Sequence, residues 1–237
     1  MGILIHDKGF EFLRPYFREA LPPGEAVYSL GDDSPDVSLA VMISTTDVYS
    51  GACDFVSESA SVEDSAGFVR AEREFKEMCA AAGLRGVVLR CAPVIGTGMN
   101  GFPRSLANDI WRGVFFHFPG NETRLSVVHA ADVASVVATM NREGCPEGCG
   151  LFNLTDGEHP TLSDLAEALA FRMGEKRIST LSTRPQQMIA RWIYGKRYKT
   201  WTTNRTFDSS ALNRALGFKP RSVCAYLRNH VYDDSSL

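Results

Sequence analysis

The sequence predicts an α/β fold, a mostly parallel sheet flanked by helices. Short β-type runs alternate with segments of helical spacing along most of the chain. One run, VSLAVMIS from Val37 to Ser44, is almost wholly apolar, as strands covered on both faces of a parallel sheet are. The 237 residues, 44% hydrophobic and 22% charged, are enough for a packed core and unlike a disordered chain.

The elements follow in order. Gly2 to His6 reads as a strand, and apolar residues at 13, 16, 17, 20 and 21 give a helix. Pro15 is tolerated only in a first turn, so that helix starts near Arg14. AVYSL is a second strand, GDDSP a turn, and Val37–Ser44 the third strand. A long helix carries Phe68, Glu72, Phe75, Cys79 and Ala82 on one face, a stripe broken by one charge. GVVLRCAPVIG gives strand and loop, Pro103 to Trp111 a short helix, and Leu125 to Val128 a brief strand. Asp132 to Met140 is helical, Gly150 to Leu154 a strand, and Thr161 to Met173 a helix whose Thr161 and Asp164 approximate a capping box.

The formal charge of -3 and pI near 6.0 give no global basic field, which argues against nucleic acid as a partner. No apolar window is long enough to span a membrane, and MGILIHDKGFEF lacks the basic start of a signal peptide. Most of the cysteines sit in apolar segments, as buried thiols do, so a reduced, cytoplasmic protein is expected. Cys145 and Cys149 are the one close pair, and His159 alone is a distant candidate to join them; no metal site is expected. Residues 176 to 206 interleave Lys and Arg with Trp and Tyr. That pattern fits an amphipathic helix, Gln186 to Tyr194, with a solvated basic tip; contact with a nucleotide phosphate is the other reading.

Five stretches, in order, resemble the extended short-chain dehydrogenases, the NAD-dependent epimerase/dehydratase family. ISTTDVYSG is similar to their hydroxyl-bearing strand end, and GLRGVVLRCAPVIGTGMNG to the next strand and substrate loop. TRLSVVHAADVASVV resembles their arginine, strand, His-x-x-Asp and helix. LFNLTDGEHPTLSDLAEALA and TFDSSALNRALGFKP resemble the approach to their C-terminal lobe and its ending. The resemblance implies a Rossmann-like domain over 1–149, shortened, and a small substrate-type lobe over 150–237. It also implies NAD or NADP as cofactor and a nucleotide or nucleotide-sugar as ligand. Assembly with a second copy or another subunit stays open.

The resemblance places Thr45 at the hydroxyl position and Tyr49 in the Val-Tyr pair behind it, the two candidate catalytic residues. Gly9 and Phe10 fall on the cofactor turn, and Asp32 where an acid would hold the adenosine ribose, or simply in a turn. Arg124 falls on the arginine that meets the sugar-nucleotide diphosphate. Gly96 and Gly98 would bring the substrate loop close to a ligand, or turn the chain. His129 and Asp132 are expected to be structural, the aspartate capping the helix and the histidine fixing the turn.

Three departures weigh against the family's chemistry. Of the glycine-rich turn only Gly9-Phe10 survives; Asp7 would repel a pyrophosphate and Phe12 would push the helix away. Only a few dozen residues separate Gly9 from Thr45, so the sheet should be narrower, with a normally central strand nearer an edge. The tyrosine-lysine pair is missing: one register puts Ala66 and Arg70 there, the other Phe68 and Glu72. A tyrosine of pKa about 10 does little near neutrality without such a neighbour. Asp47 and Glu72 are the carboxylates that could replace the pair. Three readings follow: a degenerate relative binding a nucleotide or sugar nucleotide without hydride chemistry, an active NAD(P)-dependent enzyme with a substitute acid/base, and a non-enzymatic structural or partner subunit.

Overall fold

The computed structural model describes residues 2–29, 36–49, 51, 53–63, 67–117, 120–144, 150–174, 176–180, 191–192, 195 and 201–229. The strands are β1 (Gly2–His6), β2 (Ala26–Val27), β3 (Val37–Thr45), β4 (Cys53–Val56), β5 (Arg85–Cys91), β6 (Val94–Ile95), β7 (Phe116–His117), β8 (Val128–His129), β9 (Leu151–Leu154), β10 (Ser179–Thr180) and β11 (Arg205–Phe207). The helices are α1 (Arg14–Ala20), α2 (Gly67–Ala81), α3 (Gly101–Trp111), α4 (Ala130–Glu143), α5 (Leu162–Arg172), α6 (Ser210–Leu216) and α7 (Val223–Asn229). Asp32, Cys145, Cys149 and the body of the segment Gln186–Tyr194 lie outside the described residues.

The main sheet runs β2-β1-β3-β5-β9, and every pairing in it is parallel. β1 pairs directly with β3, Leu4 beside Ala40 and His6 beside Met42, and stands one strand from the edge. Among the described residues the main sheet has five strands. β3 is buried on both faces, with Ile43 on one side and Met42 on the other both nearly inaccessible. Helices α1 and α4 cover one face and α2 the other, which is why β3 reads as an uninterrupted apolar run.

Several elements differ from expectation. AVYSL contributes only Ala26–Val27 as strand. Leu125 to Val128 is a strand only at its end: Leu125 N–H bonds Pro160 O, and Val127 O accepts from Asp156 N–H, so loops take its hydrogen bonds. Leu151–Leu154, where the C-terminal lobe was expected to open, is the last strand of the main sheet. A second core joins α3, α5 and α7 around Leu106, Leu165, Leu169 and the fully buried Trp201, drawing residues from both sides of position 150. The start of α5 is firmer than expected: the Thr161 hydroxyl accepts from Asp164 N–H, and the Asp164 carboxylate accepts from Thr161 N–H, a complete capping box.

At α4 the expected roles are exchanged. His129 is the cap, its Nδ1 accepting from Ala131 N–H. Asp132 sits in the first turn, 3% exposed, and binds Arg221 through its backbone N–H (2.9 Å) and Nε (2.7 Å). A carboxylate there is favoured by the helix N-terminus, and it ties the start of α4 to the approach of α7. Both residues are structural, as expected; the capping group is the imidazole.

Candidate functional site

In an open parallel sheet the binding crevice lies outside the carboxyl ends of the strands, where the chain order reverses. Here the chain leaves β1 toward β2 on one side and returns through β3 on the other, so the crevice is bordered by Asp7–Phe10 and Thr45. Gly9 makes the turn at φ +85°. Its N–H donates to the Glu11 carboxylate at 3.0 Å, and its carbonyl accepts from Asn100 Nδ2 at 2.8 Å. A Cβ at Gly9 would meet the Phe68 ring at 3.7 Å.

Phe10, 8% exposed, lies 6.3 Å from Phe12 and 6.2 Å from Phe68 between ring centroids. Phe12 does not wedge α1 from the sheet; it turns toward the substrate loop, its Cβ 3.2 Å from where Gly98 would carry one. The Asp7 carboxylate is held by Arg14 through two hydrogen bonds of 2.7 and 3.1 Å, so its charge meets a guanidinium within the protein. The hydrogen bond from Gly9 draws the Glu11 carboxyl below its ordinary pKa, as an anion on a backbone donor requires. An internal carboxylate thus occupies the donor at Gly9, and three rings stand beside it.

Thr45 ends β3, 9% exposed, its Oγ1 accepting from Asp47 N–H at 3.1 Å. Tyr49 lies behind it, 2% exposed, donating to Asn153 Oδ1 at 2.7 Å and stacked on Phe207 at 5.5 Å. Burial raises its pKa, against the opposing pull of Arg90 and Asn153. The residues of the two registers for the missing acid/base pair are placed differently. Phe68 and Glu72 face inward, whereas Arg70 is exposed.

Glu72 is not available as a base. It accepts Arg90 Nε and Nη2 at 3.0 and 2.7 Å and the Ser44 hydroxyl at 2.6 Å, all buried. Arg90 also lies over the Tyr49 ring at 5.0 Å. The other carboxylate considered, Asp47, is exposed and pairs with Arg205 at 3.1 Å. The two are not brought together. Sequence reading left this buried pair unpaired, although each partner is a lone charge in an apolar segment, Glu72 on the α2 stripe and Arg90 inside GVVLRCAPV. Two such charges on adjacent elements are the signal of a buried ion pair.

On the substrate side, Gly96 answers to packing: a Cβ there would fall 2.7 Å from Ala130 Cβ and 2.8 Å from Tyr16 Oη. Tyr16 Oη also accepts Thr97 N–H, fixing the loop to α1. Gly98 turns the chain at φ +75°. Arg124 is exposed, with its backbone bridged to Thr161 and Nη1 donating to His159 O at 3.3 Å. Beside it, β11 pairs with β4, and Arg205 Nη2 reaches Thr46 O at 3.2 Å. The site therefore has two parts: a turn at β1 closed by its own side chains, and a rim of arginines farther along the carboxyl edge.

No family model matches the sequence, and no curated protein does either. Solved structures do. A UDP-N-acetylglucosamine 4-epimerase from Bacillus cereus superposes with a TM-score of 0.67 at 14% identity, over 97% of this chain and 98% of that one. The Thermotoga maritima UDP-glucose 4-epimerase, solved with UDP-glucose, gives 0.57 at 19% identity over 81% of this chain. The human epimerase family protein SDR39U1, solved with NADPH, gives 0.57 at 16% identity over 92% of this chain and 72% of that one. The chain spans 62% of the Thermotoga enzyme's length, and 62% and 66% of two further bacterial matches. No helix among the described residues is long and apolar enough to cross a membrane. The order of strands, the helices on both faces and these superpositions give the chain an NAD-dependent epimerase/dehydratase-like, Rossmann-type fold.

Proposed function

We propose that this chain binds a nucleotide or sugar nucleotide along the rim at Arg124 and does no hydride chemistry. The observation that carries the reading is the turn after β1, where the Gly9 N–H is bonded to the Glu11 carboxylate and the Phe68 ring stands beside the glycine. A dinucleotide needs that donor and that space for its pyrophosphate. In either register, Ala66 with Arg70 or Phe68 with Glu72, the tyrosine and lysine of the resemblance are missing, which supports the absence of hydride chemistry. Ligands found on relatives of this fold, UDP-glucose in one and NADPH in another, name the chemical class to test. Shortness alone does not decide the matter, since the Bacillus cereus chain named as an epimerase is matched over 98% of its length.

Arg124 supplies the anion contact in this reading. Its guanidinium is exposed, and a planar fork of donors suits adjacent phosphate oxygens. Thr45 and Tyr49 then hold the rim in place and carry no proton to substrate. Calorimetric titration with NAD, NADP, UDP and UDP-sugars tests this: binding of the uridine nucleotides without NAD(P) is expected. Sub-millimolar NAD(P) affinity would overturn it in favour of an enzyme with a substitute base.

A further inference from the structure

Among the described residues, two non-glycine residues hold a left-handed backbone, Phe55 at φ +52° and His159 at φ +49°. They lie far apart in sequence yet face each other edge-on, ring centroids 5.7 Å apart at 86°. Bulky residues adopt this conformation only when their surroundings impose it, and such positions gather at ligand sites. The surroundings are explicit here. Phe55 N–H is held by Thr206 Oγ1 at 2.7 Å, and the His159 carbonyl accepts from Arg124.

Packing does not account for the Phe55 ring, which is 60% exposed. The His159 ring is anchored through Nδ1. The buried Ser126 hydroxyl accepts from Phe207 N–H at 2.9 Å and shares a hydrogen bond with His159 Nδ1 at 2.8 Å. Burial first, and then Arg124, lower the His159 pKa. The rim therefore offers an exposed aromatic ring, an imidazole and a guanidinium side by side. A planar heterocycle joined to an anion uses all three; an unmodified sugar or an inorganic anion does not.

We propose that Phe55 and His159 seat the base of a nucleotide whose phosphate lies on Arg124. The base stacks on the exposed Phe55 ring, with the His159 imidazole beside it. This seat rests on the nucleotide-binding reading above and names the residues that would read the heterocycle.

Calorimetry on the full chain with UDP, ADP and inorganic pyrophosphate tests it. The nucleotides should bind at least about ten-fold more tightly than pyrophosphate, the scale of one base stacked on an aromatic ring. Phe55→Gly keeps the backbone at ease and removes the ring; it should weaken the nucleotides about ten-fold and leave pyrophosphate unchanged. Phe55→Trp should restore them. Arg124→Ala should weaken all three ligands. Unchanged or tighter nucleotide binding by Phe55→Gly, or pyrophosphate binding wild type as well as UDP does, would overturn the seat while nucleotide binding stands. If wild type binds none of the three, the nucleotide reading falls and the seat with it.

Discussion

At the carboxyl edge of the sheet, the turn after β1 and the rim at β4 and the β9–α5 loop treat their polar groups in opposite ways. In the turn three groups have internal partners: Gly9 N–H on Glu11, Gly9 O on Asn100, Asp7 on Arg14. At the rim an arginine is exposed and an aromatic ring stands clear of the core. A site that binds from solution must hold donors and surface without complete internal satisfaction, whereas a site that serves the fold satisfies them. By that criterion the surface proposed for ligands is the rim rather than the turn after β1.

The largest effect should come from the scaffold beneath the closed half. Glu72→Ala leaves Arg90 buried without its carboxylate and strips Ser44 of its acceptor. Removing one partner of a buried pair costs about 3–5 kcal/mol, which urea denaturation will read directly. The double change of Glu72 and Arg90 to Met should cost much less, because apolar packing replaces both charges together. A loss below about 1 kcal/mol for Glu72→Ala would mean that the pair is hydrated and the α2 face less closed than its burial indicates.

Next comes a pH effect at the base of the open half. Asp156, between β9 and α5, is 5% exposed and accepts from Glu158 and Val223 N–H; burial, its largest influence, raises its pKa to about 6. A folded value above the unfolded one means that the native state binds the extra proton. Its contribution is fully present below the unfolded pKa, about 4, falls as pH rises, and is gone above about 6, a change of about 3 kcal/mol. Stability measured across that window should therefore fall with pH more steeply in wild type than in Asp156→Asn, which cannot titrate. Parallel curves for the two proteins would show that Asp156 is solvated.

How far the sequence foretold these regions follows from the range of the interactions. The parallel sheet, the start of α1 at Arg14 and the start of α5 at Thr161 are written in local spacing, Pro15 and a capping pair. So is the loss of the cofactor glycines. What spacing cannot show is which distant atom fills a vacated place. Glu11 on Gly9 was within reach, only two residues away, but Asn100 on the same glycine comes from 91 residues downstream. The rim is less legible still: Phe55 and His159 look like ordinary loop residues until the fold opposes them, and His129 resembles a turn residue until it caps α4.

The smallest effect concerns the boundary between the two halves. Glu11 is exposed, so Glu11→Ala should alter stability by no more than about 0.5 kcal/mol, while returning the Gly9 N–H to solvent. Alone it should yield no dinucleotide binding, because the Phe68 ring still stands beside the glycine. Combined with Phe68→Ala, it clears both the donor and the space, and weak NADP or NAD binding, in the millimolar range, should appear by saturation-transfer NMR. If Glu11→Ala by itself binds as well as the double variant, the internal carboxylate is the whole barrier and the aromatic rings are bystanders. If neither variant binds, the barrier is not in the turn, and the direct pairing of β1 with β3 becomes the place to look for it.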